Sequence, residues 1–176
     1  GVGFALQTFF QDIISGIFIL IDQTVHVGDI IELDGKVGRV ENITLRTTRA
    51  VTRDNKVLVI PNHKYLTTTL FNWTENDKVT GESINVGVAY GTDVEKFKKV
   101  VLEIATQHPD ATKKKDPILL FQDFGDSSLD FTLIVFTENA FKGAMIKSDI
   151  RFAIEKALRI NEIEIPFPQR VIHTSN

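Results

Sequence analysis

The sequence contains no cysteine, which excludes a disulfide framework, a thiolate zinc site and a cysteine nucleophile. It also lacks a glycine-rich phosphate loop with a lysine, and Gly1-Val2-Gly3 has neither the third glycine nor the preceding strand of a dinucleotide fingerprint. The four histidines share no helical face and no ligand spacing, so they predict no metal site. The sequence therefore predicts no cofactor and no enzymatic activity.

Basic residues are missing from the start of the chain, where no Lys or Arg precedes Lys36. A secretory signal peptide needs a basic start and a small-residue cleavage site, and neither is visible. Over the whole chain, 20 Lys and Arg residues oppose 23 Asp and Glu residues. This small acidic excess argues against a general electrostatic attraction for nucleic acid.

The first 21 residues are strongly apolar: thirteen of them are hydrophobic and Asp12 is their only charged residue. As a helix they would span about 31 Å, close to the thickness of the hydrocarbon core of a bilayer. Gln7, Gln11 and Ser15 recur at four-residue steps, and Thr8, Asp12 and Gly16 run beside them, which gives such a helix one polar face. The pattern alone fits a helix at a membrane interface, a helix lining an aqueous pore, or an ordinary core helix.

A strand pattern follows, from about residue 25 to residue 62. Asp34-Gly35 is a strong hairpin signal, Gly38 suggests a bulge or a tight bend, and Asp54-Asn55 predicts another turn. The apolar run before Pro61-Asn62 predicts a strand that ends there. Several short strands at this spacing favour a small closed barrel or a sandwich.

The remaining residues read as β-α-β-β-α-β, the order of a ferredoxin-like unit. Thr92 and Glu95 form a capping box that predicts a helix as far as about Gln107. The predicted elements around this helix are a strand at Glu82–Ala89, a hairpin of Ile118–Phe124 and Leu129–Phe136, a helix at about Lys142–Ile160, and a short last strand at Ile163–Ile165.

A series of short motifs resembles the small-conductance mechanosensitive channel (MscS) family, in the family's order and over nearly the whole chain. No single motif is decisive, but the series is hard to obtain by accident. The motifs are Gly3-Phe4-Ala5-Leu6-Gln7, Gly16-Ile17-Phe18-Ile19-Leu20, Val27-Gly28-Asp29, Ile31-Glu32-Leu33-Asp34-Gly35, Gly38-Arg39-Val40, Arg46-Thr47-Thr48-Arg49, Val59-Ile60-Pro61-Asn62, Phe71-Asn72-Trp73-Thr74 and Ile165-Pro166-Phe167-Pro168-Gln169.

The resemblance implies an α+β chain of three parts. Residues 1–24 would be a pore-lining and membrane-surface helix, residues 25–80 an Sm-like β-barrel, and residues 81–176 a ferredoxin-like α/β domain. It further implies a homoheptamer in the inner membrane, multi-pass when full length, with most of this chain on the cytoplasmic side around a vestibule. The expected partners are membrane lipid, permeating ions and small solutes, and the expected activity is their passage under membrane tension after osmotic down-shock.

The same resemblance assigns roles to single residues of the first helix. Phe4 stands where the family places a bulky apolar residue of the pore constriction, and Gly3 and Gln7 would line the pore beside it. Gly1 would allow close packing of neighbouring helices. Thr8 stands where many members have the glycine of a kink, whereas Gly16 keeps a later glycine, so the position of the bend is left open between them.

The main alternative is a soluble oligomeric scaffold or an RNA-binding protein, because Sm-like and ferredoxin-like domains also occur in RNA binders. Its candidate phosphate contacts are Arg39, Arg46, Arg49 and Arg53. Residues 25–64 hold seven basic and five acidic residues, a surplus of only two. That surplus is small for a surface that binds phosphates, so the sequence favours a channel without nucleic acid.

Overall fold

The computed structural model describes residues 2–170, which form two compact units. The first unit runs to Thr80 and also contains Ala140–Lys142, and the second holds Gly81–Asn139 and the chain from Gly143 onward. The α+β class is confirmed, as is the order of an N-terminal helix, a β-domain and an α/β domain.

The first unit begins with helix α1, Val2–Asp22, followed by five strands and one short helix. These are β1 (Ile30–Leu33), β2 (Lys36–Ile43), β3 (Thr47–Val51), β4 (Val57–Pro61), α2 (Lys64–Thr67) and β5 (Leu70–Asn72). The strands form one antiparallel sheet in the order β4-β3-β2-β1-β5. The core of this unit consists of Ile19 from α1 together with Val25, Ile31, Leu33, Val40 and Ile60.

The predicted hairpin at Asp34-Gly35 is confirmed, since both residues have positive φ, 50° and 71°, between paired strands β1 and β2. Such a two-residue turn matches the twist of the flanking strands. The expectation of a bulge at Gly38 is wrong, because the register of β2 shifts between Val40 and Asn42 instead. Gly38 has a packing role: a Cβ atom there would lie 3.0 Å from the Cβ of Ala50 on β3.

A hydrogen-bond network around Asp29 joins two segments that are distant in sequence. Its carboxylate accepts hydrogen bonds from the backbone N of His26 (2.8 Å), from Asn72 Nδ2 (2.8 Å) and from Thr74 Oγ1 (3.0 Å). Burial raises the pKa of Asp29, but these hydrogen bonds and the nearby His26 outweigh burial and lower that pKa below its ordinary value. The network therefore fixes the start of β1 against the end of β5.

The second unit is a three-stranded sheet in the order β6-β8-β7 with two helices. Its elements are β6 (Thr80–Val88), α3 (Val94–Gln107), β7 (Ile118–Phe124), β8 (Leu129–Thr137) and α4 (Gly143–Ile160). Alternate residues of β8 pack into the core with apolar residues of both helices: Leu129, Phe131, Leu133, Val135, Phe97, Val101, Ile146, Ile150, Ile154 and Leu158. The hairpin predicted at residues 125–128 is confirmed, because β7 and β8 on either side of these residues pair in antiparallel fashion.

Two local predictions in this unit are wrong. The N-cap of α3 is Asp93, whose side chain accepts a hydrogen bond from the backbone N of Lys96, whereas the Thr92 hydroxyl donates to the carbonyl of Ala89. Residues 163–165 form no strand, although the backbone N of Ala89 donates to the Glu164 carbonyl over 2.9 Å. A single hydrogen bond of this kind aligns the segment without forming a ladder.

Candidate functional site

The N-terminal half of α1 is exposed at every position from Val2 to Gln11. Phe4 has 80% of its surface exposed, and a Cβ atom added at Gly3 would have no other atom within 4 Å. Gln7 is exposed on the same stretch. Gly1 lies outside the described residues. The expected pore residues Phe4, Gly3 and Gln7 therefore lie together on a helical segment whose residues are all exposed.

The two candidate bend positions lie within one uninterrupted helix. The Thr8 hydroxyl donates a hydrogen bond to the Phe4 carbonyl one turn earlier, at 3.3 Å, as serine and threonine side chains often do in helices. Helical structure continues past Gly16 to Asp22. A hinge at Thr8 or Gly16 stays a prediction.

The second half of α1 has one buried face, made by Asp12, Ser15, Gly16 and Ile19. Their spacing of three, four and seven residues places them on one side of a helix. Three of the four are polar or have no side chain, and the Ser15 hydroxyl donates to the Gln11 carbonyl at 2.6 Å. The polar stripe read from the sequence is therefore buried at Ser15, while Ile14, Ile17 and Phe18 stay exposed.

Gly16 is a point of close approach between α1 and the β-domain. A Cβ atom at this position would lie 2.1 Å from the carbonyl oxygen of Leu45 and 2.7 Å from Nδ2 of Asn62. No side chain larger than hydrogen fits without movement of the Leu45 backbone. The glycine thus allows contact between the helix and the loop that joins β2 to β3.

Asn62 holds that loop in place and is fully buried, with 0% of its surface exposed. Its Nδ2 donates to the Thr44 carbonyl (2.8 Å), its Oδ1 accepts from Thr48 Oγ1 (3.0 Å), and its backbone N donates to the Arg46 carbonyl (2.9 Å). The sequence identified Pro61-Asn62 only as the end of a strand. The one signal of a further role for Asn62 was that Val59-Ile60-Pro61-Asn62 resembles a motif of the MscS family.

Asp12 forms the second contact, with His63, the residue that precedes α2. The carboxylate oxygen Oδ1 of Asp12 accepts hydrogen bonds from the backbone N of His63 at 3.0 Å and from its ring Nδ1 at 2.7 Å. Asp12 is 6% exposed. A buried carboxylate is stable only with such partners, so this pair fixes the helix on the β-domain.

Three of the four arginines considered for RNA binding are engaged within the first unit. The guanidinium of Arg46 lies over the ring of Phe9 at 4.8 Å, and that of Arg39 over the ring of Phe141 at 4.6 Å. Arg53 donates to the carbonyl of Ala140 at 2.8 Å. These contacts give the arginines structural roles, and the RNA-binding alternative is not favoured.

Within residues 2–170, α1 is the one helix long and apolar enough to cross a membrane. The same residues contain no group of three or more side chains that could bind a metal ion. The site is therefore a largely exposed apolar helix that is attached at one face to a β-domain.

Comparison with known proteins identifies both units. Residues 8–75 match the family model described as the mechanosensitive ion channel β-domain, and residues 82–165 match the model described as the C-terminal part of the mechanosensitive ion channel MscS. The chain is 35% identical over 176 residues to the mechanosensitive channel MscK of Escherichia coli, covering 100% of this chain and 16% of MscK. It is 30% identical to the small-conductance mechanosensitive channel of Edwardsiella ictaluri, covering 98% of this chain and 59% of that channel.

The solved structures include a similar chain. The closed-state structure of Helicobacter pylori MscS superposes with a TM-score of 0.83 at 30% identity, covering 99% of this chain and 69% of that one. Arabidopsis thaliana MSL1 shares the fold at 13% identity, with a TM-score of 0.66, over 94% of this chain and 61% of that one. The chain thus spans only part of its relatives, and within that part it belongs to the MscS family of mechanosensitive ion channels.

Proposed function

We propose that this chain is the pore-forming end and cytoplasmic part of a channel subunit that passes ions and small solutes when membrane tension rises, as after osmotic down-shock. The observation that carries the proposal is the division of α1 into an N-terminal half exposed at every position and a second half held on the β-domain by one face. An apolar helix exposed in this way requires lipid or neighbouring copies to cover it.

In this proposal the first turns of α1 line the pore, with Phe4 as the constriction and Gly3 and Gln7 beside it. A ring of Phe4 side chains narrows the pore enough to expel water, which closes it to ions without a plug. Gly1 and Gly3 let adjacent helices pack closely, and Thr8 and Gly16 are the candidate positions of the bend. Tension favours the conformation with the larger area in the membrane plane, so it shifts an existing equilibrium.

We propose a homoheptamer, because one helix cannot enclose water and several copies related by cyclic symmetry can. Residues 1–24 would meet the pore and the membrane surface, while residues 25–80 and 81–176 would lie on the cytoplasmic side of the inner membrane. Membrane lipid and permeating ions are then the partners, and no catalytic step or nucleic acid is involved. Tension-sensing helices would be supplied by further parts of the full-length protein.

The test is current under suction from purified full-length protein in lipid vesicles. We expect discrete openings whose probability rises with tension and vanishes in protein-free vesicles. Full-length protein that inserts into vesicles but carries no current at any tension up to membrane rupture would contradict the proposal. The soluble scaffold alternative predicts protein that stays in the aqueous phase without detergent.

A further inference from the structure

Within the described residues, Asp12 and His63 are the one pair of side chains that forms a hydrogen bond between α1 and the β-domain. Asp12 is the only charged residue of the chain before Asp22. It lies on the buried face of α1, and His63 lies 51 positions later, with its side chain 24% exposed. The pair therefore joins a charge on the membrane helix to a titratable group that water can reach.

The other charged groups near the pair are an arginine, a lysine and a carboxylate. Arg46 acts electrostatically on Asp12 from the loop before β3, and arginine keeps its charge at every accessible pH. Lys64 follows His63, and its ammonium group lies 3.6 Å from the Asp34 carboxylate. Histidine changes charge between about pH 5 and about pH 8.

We propose that this pair is a pH-sensitive latch, in which protonation of the His63 ring tightens the attachment of α1 to the β-domain. A neutral ring donates one hydrogen bond to the Asp12 carboxylate. A protonated ring keeps that hydrogen bond and adds the attraction of opposite charges, and hydrogen bonds between charged groups are stronger than those with a neutral partner. The role of the latch in gating rests on the proposed function of α1, whereas its pH dependence does not.

Three substitutions separate the latch from a merely structural contact. His63→Gln keeps a side-chain amide that can donate but removes the titration. Asp12→Asn keeps an acceptor oxygen at the same place but removes the negative charge. His26→Gln is the matched control, because the His26 ring lies 3.6 Å from the Asp29 carboxylate in a second histidine–aspartate pair of the β-domain.

The experiment is hydrogen–deuterium exchange of detergent-solubilised full-length protein at about pH 5.5 and about pH 8, each corrected for the intrinsic exchange rate. The backbone N–H of His63 donates to Asp12, so a peptide that begins at or before Pro61 and extends to Leu66 reports the latch directly. We expect protection of this peptide to be about fivefold higher at the lower pH in the wild type and in His26→Gln. The difference should disappear in His63→Gln and in Asp12→Asn.

Exchange of α3 in the second unit serves as the control for folding of each variant. Protection at residues 63–66 that is independent of pH in the wild type would overturn the proposal. So would a pH difference that persists in both His63→Gln and Asp12→Asn. Because the measurement needs no current, a latch without channel activity would count against the proposed function alone.

Discussion

Gly16 on α1 and the carbonyl oxygen of Leu45 approach so closely that a Cβ atom on Gly16 would lie 2.1 Å from that oxygen. Glycine in the middle of a helix is less favourable than alanine by about 1 kcal/mol, so this position loses local stability. The contact gives the reason: only glycine lets the helix backbone reach the β2–β3 loop. A hinge is not needed to explain the residue.

We predict that Gly16→Ala destabilises the attachment of α1, because the added methyl group forces the Leu45 backbone to move. Overpacking of this kind costs about 1 to 3 kcal/mol. Thermal unfolding of the full-length protein in detergent should show a lower midpoint for this variant. Lys98→Ala, on the exposed face of α3, is the control, and its midpoint should be unchanged. Equal midpoints for Gly16→Ala and wild type would refute the close contact.

The second prediction concerns Asn62, whose side chain bridges the Thr44 carbonyl and the Thr48 hydroxyl. Asn62→Ala removes the acceptor of the buried Thr48 hydroxyl and the donor to the Thr44 carbonyl, and a buried polar group without a partner costs about 1 to 3 kcal/mol. We expect a clear fall in the denaturant midpoint of the full-length protein. Asn42→Ala, on the exposed part of β2, should change stability by less than about 0.5 kcal/mol. Similar losses in the two variants would contradict the bridging role.

The third prediction is a dependence of stability on pH. The pKa of Asp29 is lowered in the folded protein, so its network stabilises the fold above the pKa of the unfolded chain, about 3.9. That stabilisation is lost as the pH falls through the lower pKa of the folded state. Asp29→Asn should therefore be less stable than the wild type at neutral pH, and the difference should shrink in acid.

Glu41→Gln is the control for this titration, because Glu41 is an exposed residue of β2. Its stability should follow that of the wild type from neutral pH into acid. A difference between Asp29→Asn and wild type that stays constant over the same range would show that the Asp29 charge contributes nothing to the fold.

The fourth prediction concerns the constriction. Phe4→Ser in the full-length channel replaces an apolar ring by a hydroxyl, so water should enter the closed pore more easily. We expect openings at lower tension and slower growth of cells that express the variant. Phe10→Ser makes the same chemical change at a residue that is 57% exposed but lies on a different side of α1. An unaltered threshold for Phe4→Ser, or the same fall for both variants, would remove Phe4 from the gate.

Local signals predicted most of the fold. Asp34-Gly35 specified its hairpin because the turn conformation depends on those two residues alone. The cap of α3 was misplaced by one residue because Thr92 and Asp93 are both good N-cap residues, and the choice depends on the hydrogen bond to Lys96. Residues 163–165 have a strand-like composition, but one backbone hydrogen bond to Ala89 does not make a ladder.

The contacts of α1 could not be read from the sequence, because their partners are far away along the chain. Asp12 and His63 are separated by 51 residues, and the oxygen that explains Gly16 belongs to a loop residue with no side-chain signal. Helical spacing identified a polar face that includes Asp12, Ser15 and Gly16, and these three residues are buried together with Ile19. Periodicity shows that a helix has a polar face and an apolar face. Only the folded structure shows which residues each face contacts.

The central claim is that the first turns of α1 line a water-filled pore, and a cysteine introduced at Phe4 tests it most directly. This chain has no cysteine of its own, so Phe4→Cys and Phe10→Cys can be compared in full-length channels in which any upstream cysteine has been replaced. A charged, water-soluble thiol reagent should reduce the current of Phe4→Cys during openings under tension and leave Phe10→Cys unaffected. Modification of both positions alike, or of neither, would contradict the account.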